Sequence, residues 1–278
     1  MDRRVDELNI KLILDILMDL KLEQAATTAT AKDEQHPAID GGNPNDHILP
    51  PKPHFLVERE SQVEQVLEIL LRQEPTRIAI LGGGGFGKTT LARTILHDSK
   101  IEERFQARYF LSCEGMSDAD ALLLGLGTML GIKAVPSAML ASIRHILQTS
   151  TTLLCLDNFE TPWEAFETRT KVEELLESIS DTPNLSLMIT VRGEQRPSKV
   201  AWSKPLLIPL STLSLKGAQE IVAKIASEDD INQFTIQLLE AIDGIPLAIT
   251  LVATLLRDGE DSESLWTRWS TDATQIIN

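Results

Sequence analysis

The 278-residue sequence predicts an α/β fold, a parallel sheet flanked by helices, followed by a small all-helical subdomain. Three observations carry that expectation. Short apolar runs of strand type recur at 77–81, 109–113, 152–156, 185–190 and 206–210, and helical patterns near 88–98, 117–130, 137–148 and 170–180 separate the first four. Such alternation places helices on both faces of a parallel sheet. A glycine-rich stretch joins the first of these strands to a helix, and beyond Ser211 only helical patterns remain, near 214–227, 231–242, 246–257 and 263–275.

Taken in chain order, residues 1–23 read as a helix. Val5, Leu8, Leu12, Ile13, Ile16, Leu17 and Leu20 form one apolar stripe, and Ile10, Leu14, Met18 and Leu22 add a second. A helix apolar on nearly all sides is normally buried against a partner. The expected roles are the remnant of an N-terminal effector domain or an oligomerisation helix, with a helix packed on the nucleotide domain as the alternative. Residues 24–53, rich in Ala, Thr, Asp, Pro and Gly, read as a linker. A new domain opens at His54, where Ser61-Gln-Val-Glu64 has the form of a capping box ahead of Val63, Val66, Leu67, Leu70 and Leu71. The nucleotide-binding domain is expected over 54–210 and the helical subdomain over 211–278. In the latter, Pro246 suits a first helical turn and Gly259 a helix end.

Composition narrows the partners. A formal charge of −15 argues against nucleic acid and anionic membranes, which attract basic surfaces. No run reaches 18 apolar residues, and Met1-Asp-Arg-Arg-Val5 lacks the features of a signal peptide. Cys113 and Cys155 lie in apolar runs, which predicts buried thiols. His36, His47, His54, His97 and His145 show no metal-ligand spacing. A cytoplasmic protein without a structural metal is the expectation.

The glycine-rich stretch is the informative one. Gly82, Gly83, Gly84, Gly85, Phe86, Gly87, Lys88, Thr89 and Thr90 contain the pattern G-x-x-x-x-G-K-[ST]. Glycines let consecutive backbone N–H groups curl around a phosphate without a Cβ in the way. Lys88 can reach the β and γ oxygens, and the Thr89 hydroxyl can join Mg²⁺. The four fixed positions arise by chance roughly once in a hundred chains of this length. Arg77-Ile-Ala-Ile-Leu81 before the loop, and Leu91, Ala92, Ile95 and Leu96 after it, supply the strand and helix that the motif requires. A flexible glycine linker is the bland alternative. A nucleoside triphosphate or diphosphate with Mg²⁺ is the expected ligand.

A second half of the site follows. Leu153-Leu-Cys-Leu-Asp157 is an apolar strand ending in a carboxylate, placed to hold Mg²⁺ at the carboxyl edge of a parallel sheet. Glu160 can accept a proton or orient water, whereas Asn158 can only orient it. Arg192, at the end of the 185–190 strand, is a γ-phosphate sensor candidate or a solvated surface arginine. The candidate catalytic residues are Asp157, Glu160 and Arg192, with Thr89 and Asp157 as metal ligands.

Together these residues resemble the STAND class of signalling ATPases, the NB-ARC and NACHT modules of NOD-like receptors, over about Phe55 to Trp269. Leu81 to Ala92 is similar to their phosphate loop, Arg108 to Cys113 to their second strand, and Thr190-Val-Arg192 to their sensor. Leu207-Ile-Pro-Leu-Ser211 resembles the approach to their first helical subdomain, and Gly244-Ile-Pro-Leu-Ala248 their Gly-Leu-Pro-Leu motif. Leu156 to Glu164 is most similar to fungal members. The resemblance implies that Pro246 contacts the adenine side of the nucleotide and that Val57 and Arg59 belong to the adenine-side turn. Three departures stand out. Glu58 occupies the usual glycine of that turn, Asn158 replaces the second acid of the NB-ARC pair, and no winged-helix or repeat sensor follows the helices. A module truncated after the first helical subdomain is the expectation. Glu160 matches the acidic position of the NACHT-style pattern.

The implied function is an ATP/ADP signalling switch of innate-immune type. Slow hydrolysis would control conformational change and self-association through the nucleotide-binding domain, with effector and sensor domains as further partners. Differential affinity for two states is enough for such a switch, so fast turnover is unnecessary. The alternatives are a nucleotide-bound scaffold with dead catalysis, which Asn158 permits, and a constitutive P-loop ATPase or kinase. A kinase calls for an Arg-rich lid that the sequence lacks, and a nucleic-acid motor calls for basic surface.

Overall fold

The computed structural model describes residues 49–277. The helix expected at 1–23, and the linker up to residue 48, lie outside the described residues. Two compact units emerge: residues 49–83 with 87–210, and residues 84–86 with 211–277.

The first unit is a sheet unit. Helix α1 (Glu60–Leu70) precedes β1 (Arg77–Gly82), α2 (Lys88–Leu96), α3 (Ser99–Arg104) and β2 (Ala107–Ser112). Then come α4 (Ala119–Met129), α5 (Pro136–Leu147), β3 (Thr152–Asp157), α6 (Glu160–Trp163), α7 (Arg169–Ser180) and β4 (Leu185–Arg192). The four strands are parallel in the order β1-β4-β3-β2. Strand composition explains this order. All six residues of β3 are buried, as are Leu185 to Val191 of β4, because helices cover both faces of these inner strands. At the edge, β2 buries only Tyr109 fully. Leu154, Leu156, Leu187 and Ile189 pack with Leu122, Ile143 and Leu176 from the helices in one core. Each such side chain contributes about 1.5–3 kcal/mol by leaving water.

Two local expectations are corrected. The run 206–210 is not a strand: it touches the sheet through a single parallel bridge, Leu210 to Gly82, with Leu210 N–H donating to Leu81 O at 2.7 Å. Pro205 and Pro209 lack the N–H groups a ladder needs, and Ile208 is 79% exposed. The capping box at Ser61 does not form. Backbone inversion at Glu58 (φ +52°) precedes a start of α1 two residues earlier, with Arg59 as N-cap and no side-chain cap. The Ser61 hydroxyl donates to Gln62 Oε1 instead.

Cys113, just past β2, and Cys155, on β3, are buried free thiols. Burial pushes the Cys113 pKa up to about 12, with the Asp157 and Glu160 charges adding to the effect. Cys155 is raised well above its ordinary range, again chiefly by burial.

The second unit is helical: α8 (Leu215–Ile225), a 3₁₀ turn at Glu228–Asp230, α9 (Gln233–Ala241), α10 (Pro246–Arg257) and α11 (Ser262–Ile277). Ser214 caps α8 by accepting from Gly217 N–H, and Asn232 caps α9 by accepting from Phe234 and Thr235 N–H. Pro246 occupies the first turn of α10, where its missing N–H costs nothing. Gly244 (φ +67°) accepts from Leu213 N–H at 2.8 Å, and a Cβ there would lie 2.1 Å from Leu213 O, so only glycine fits.

Candidate functional site

Register builds the site. Gly82 pairs with Arg192, and Leu156 with Ile189, so the carboxyl ends of β1, β4 and β3 emerge at one edge. Ligands of open parallel sheets bind outside this edge. Gly82 and Gly193 exchange backbone hydrogen bonds at 3.1 and 3.0 Å, which extends the β1–β4 ladder to the mouth of the loop.

From there the loop turns into α2. Gly87 is its N-cap at φ +87°, a conformation strained for residues with a Cβ, and no side chain caps the helix. The first-turn N–H groups of Lys88, Thr89 and Thr90 therefore lack a side-chain acceptor and suit an anion. Gly84 to Phe86 group with the helical unit. Lys88 is buried, and its Nζ donates to the carbonyls of Gly82 (3.1 Å) and Gly83 (2.8 Å). That leaves one of its three donors to meet a phosphate. Burial lowers the Lys88 pKa, while the Glu160 charge opposes this, Arg192 adds to it and Asp157 opposes it.

Opposite Lys88 stands Asp157, 3% exposed. The Thr89 hydroxyl lies 2.9 Å from both of its oxygens, sharing one proton between them. Thr190, fully buried on β4, donates its hydroxyl to Asp157 Oδ1 at 2.7 Å and accepts from Asn158 N–H at 2.9 Å. Sequence reasoning quoted Thr190 only as a neighbour of Arg192 and missed this role. Ser186 is a second hydroxyl in the same strand, so no local signal marks Thr190 out. Asn158 itself takes φ +55°, the turn that throws the chain from β3 into α6.

Glu160 opens α6, and its Oε2 accepts the backbone N–H of Arg192 at 3.1 Å. The two residues are joined through the main chain, and the Arg192 side chain is exposed. Lys88, Thr89, Asp157, Glu160 and Arg192 thus gather at one sheet edge. Elsewhere in the sheet unit Val57 is buried, and Arg59, 4% exposed, donates to the Glu58 carbonyl at 3.1 Å. Burial lowers the Arg59 pKa against the raising effect of Glu58 and Glu60. Pro246 lies in the helical unit.

The NB-ARC domain model matches residues 59–202, just over half the chain. The chain belongs to the NB-ARC domain family. No curated protein matches its sequence. Among solved structures, this NB-ARC chain is similar to the Aeropyrum pernix ORC1 protein in complex with DNA, at 14% identity and TM-score 0.61, covering 79% of this chain and 66% of that one. Drosophila ORC bound to DNA shares 16% identity at TM-score 0.59, with coverage of 94% and 74%. Cdc6p from Pyrobaculum aerophilum shares 19% at TM-score 0.54, with coverage of 77% and 66%. The chain spans about two thirds of the archaeal proteins' length. At these identities the likeness is one of fold: a P-loop ATPase core followed by helices.

The NB-ARC chain is a nucleotide-binding module, and its own groups fit Mg²⁺–nucleotide chemistry. Asp157 and Thr89 offer hard oxygen donors side by side, as Mg²⁺ prefers, while Lys88 and the uncapped head of α2 offer donors to phosphate. Among the described residues no three His, Cys, Asp or Glu side chains come together to hold a metal without such a ligand. No described helix is long and apolar enough to cross a membrane.

Proposed function

We propose that this chain is the ATP- and ADP-binding switch module of a cytoplasmic NOD-like-receptor type signalling protein, in which slow hydrolysis governs conformation and self-association. The observation that carries the reading is the Thr89–Asp157–Thr190 chain of hydrogen bonds beside Lys88. Each of these residues has a distinct part. Thr89 and Asp157 hold Mg²⁺, Lys88 binds the terminal phosphates, and Thr190 keeps Asp157 turned toward them. Bound Mg²⁺ supplies charge neutralisation on the phosphates. Arg192 reads the γ-phosphate, and Glu160 steadies the Arg192 backbone while remaining the nearby carboxylate that can orient water.

The same geometry supports a reading of slow turnover. Asn158 cannot take a proton, and one oxygen of Glu160 already serves Arg192 N–H. Affinity that differs between the triphosphate and diphosphate states is then enough to drive a switch. The net charge of −15 favours a mononucleotide over a polynucleotide as ligand.

The test is to identify the copurifying nucleotide, then measure single-turnover hydrolysis and the oligomeric state with ADP and with a non-hydrolysable triphosphate. ADP retention, a rate well below ~10 per second and larger assemblies with the triphosphate are expected. A rate near that value, or identical assembly in both states, overturns the switch.

A further inference from the structure

Away from the phosphate loop, the sheet unit contains a cleft that gathers cations in a strongly acidic chain. It has a volume of about 410 Å³, and its walls include Trp163, Arg169, Glu173, Arg196, Ser198 and Lys199. They come from the end of α6, from α7 and from the loop that follows β4. Glu173 is buried, and its acceptor positions are filled. Oε1 accepts from Trp163 Nε1–H at 2.9 Å, Oε2 from the Ser198 hydroxyl at 2.7 Å, and the backbone N–H groups of Ser198 and Lys199 also donate to it. Burial alone would raise the Glu173 pKa, but the four donors outweigh it and leave the carboxyl lowered. The only acid in the wall is therefore an anchor for the loop and has little capacity left for another donor.

Of the cations that remain, Arg169 carries a buried donor without a partner. The Arg169 guanidinium lies over the Trp163 ring, 3.9 Å from its centroid, and its buried Nε has no hydrogen-bond partner. Stacking uses the face of a guanidinium and leaves its in-plane N–H edge free. Arg196 donates one Nη2–H bond to Leu207 O at 2.5 Å, and burial lowers its pKa. Among the described residues neither Arg169 nor Arg196 pairs with a carboxylate, whereas Lys199 pairs with Glu174 at 2.8 Å on the rim. A buried N–H without an acceptor is costly, and a planar fork matches two oxygens of one acid group.

We propose that this cleft binds an oxyanion, a phosphate or carboxylate group lying in the plane of Arg169, with Arg196 as the second cation. Binding replaces the water around two arginines with one charge-assisted fork. The cleft shares no lining residue with the phosphate loop.

The experiment uses the full chain with ADP and Mg²⁺ at saturation, so that the loop does not take up the probe. Inorganic phosphate and N-acetylglutamate are titrated separately, with sodium chloride at matched ionic strength as control. Nitrogen-15 NMR follows the Trp163 indole N–H, which reports on the cleft wall. A saturable shift with either probe is expected, and the tighter probe tells whether a free phosphate or a protein carboxylate is the source. Arg169→Gln weakens the affinity at least about tenfold, Arg169→Lys does the same because it loses the fork, and Arg196→Gln weakens it less. Shifts that rise without saturating, that chloride reproduces, or that persist unchanged in both Arg169 variants overturn the proposal.

Discussion

Replacing Thr190 by valine isolates one atom of the site. The two side chains have nearly the same shape, so the core remains filled while a hydroxyl is lost. That hydroxyl makes a 2.7 Å bond to Asp157 Oδ1 and accepts a 2.9 Å bond from Asn158 N–H, with the residue fully buried. A bond to a charged group contributes about 1.5–3 kcal/mol and a neutral one about 0.5–1.5. Thr190→Val is therefore expected to destabilise the sheet unit by about 3 kcal/mol. Thr190→Ser keeps the hydroxyl and deletes a methyl group, which costs about 1 kcal/mol. Urea unfolding followed by circular dichroism measures both, and Mg²⁺-dependent triphosphate binding is expected to fall in valine and hold in serine. Equal losses in the two variants, or a loss below about 1 kcal/mol in valine, would refute the clamp.

Other expectations concern the same edge and its floor. Lys88→Ala is expected to weaken ADP binding at least about tenfold by calorimetry, through loss of charge-assisted bonds to phosphate; unchanged affinity removes Lys88 from the site. Asp157→Ala is expected to weaken Mg²⁺-dependent triphosphate binding more than diphosphate binding, and equal losses argue against a metal role. Glu160→Gln is expected to slow single-turnover hydrolysis further, and Asn158→Asp to leave it unchanged or faster; normal hydrolysis in Glu160→Gln excludes Glu160. The last expectation concerns pH. Folding raises the Cys113 pKa from an ordinary 9.0 to about 12, so above pH 9 the folded chain keeps a proton that the unfolded chain loses. Its contribution to stability is fully present below pH 9 and declines toward pH 12. Stability that falls equally steeply over that range in Cys113→Ala would contradict this.

Sequence made the core legible because its signals are short-range. Strand-like runs ending at Leu81, Leu156 and Thr190 fall within β1, β3 and β4, and Gly87 sits where the chain must turn left-handed into α2. What escaped depends on pairs distant in sequence. Nothing near Thr190 says that its hydroxyl meets Asp157, 33 residues earlier. The bond from Arg192 N–H to Glu160 spans 32 residues and exists only because β3 and β4 are neighbours. Leu206 to Leu210 misled in the opposite way. Its apolar pattern reads as a strand, but Pro209 within it and Pro205 just before it withdraw donors on which pairing depends. The short α6 was illegible for a third reason: four residues are too few to show a helical period.

The buried thiols give the folded chain the solution chemistry of a cysteine-free protein. Alkylating reagents attack thiolates, and neither Cys113 nor Cys155 forms one near neutral pH. A single cysteine introduced at exposed Glu194 could carry a fluorophore beside Arg192 without any native thiol being removed first. The same shielding makes the native pair a clock. Cys155 lies two residues before Asp157 on the innermost part of the sheet, so its slow modification measures how often the floor of the nucleotide site opens to solvent. A ligand that slows that clock is tightening the sheet beneath it.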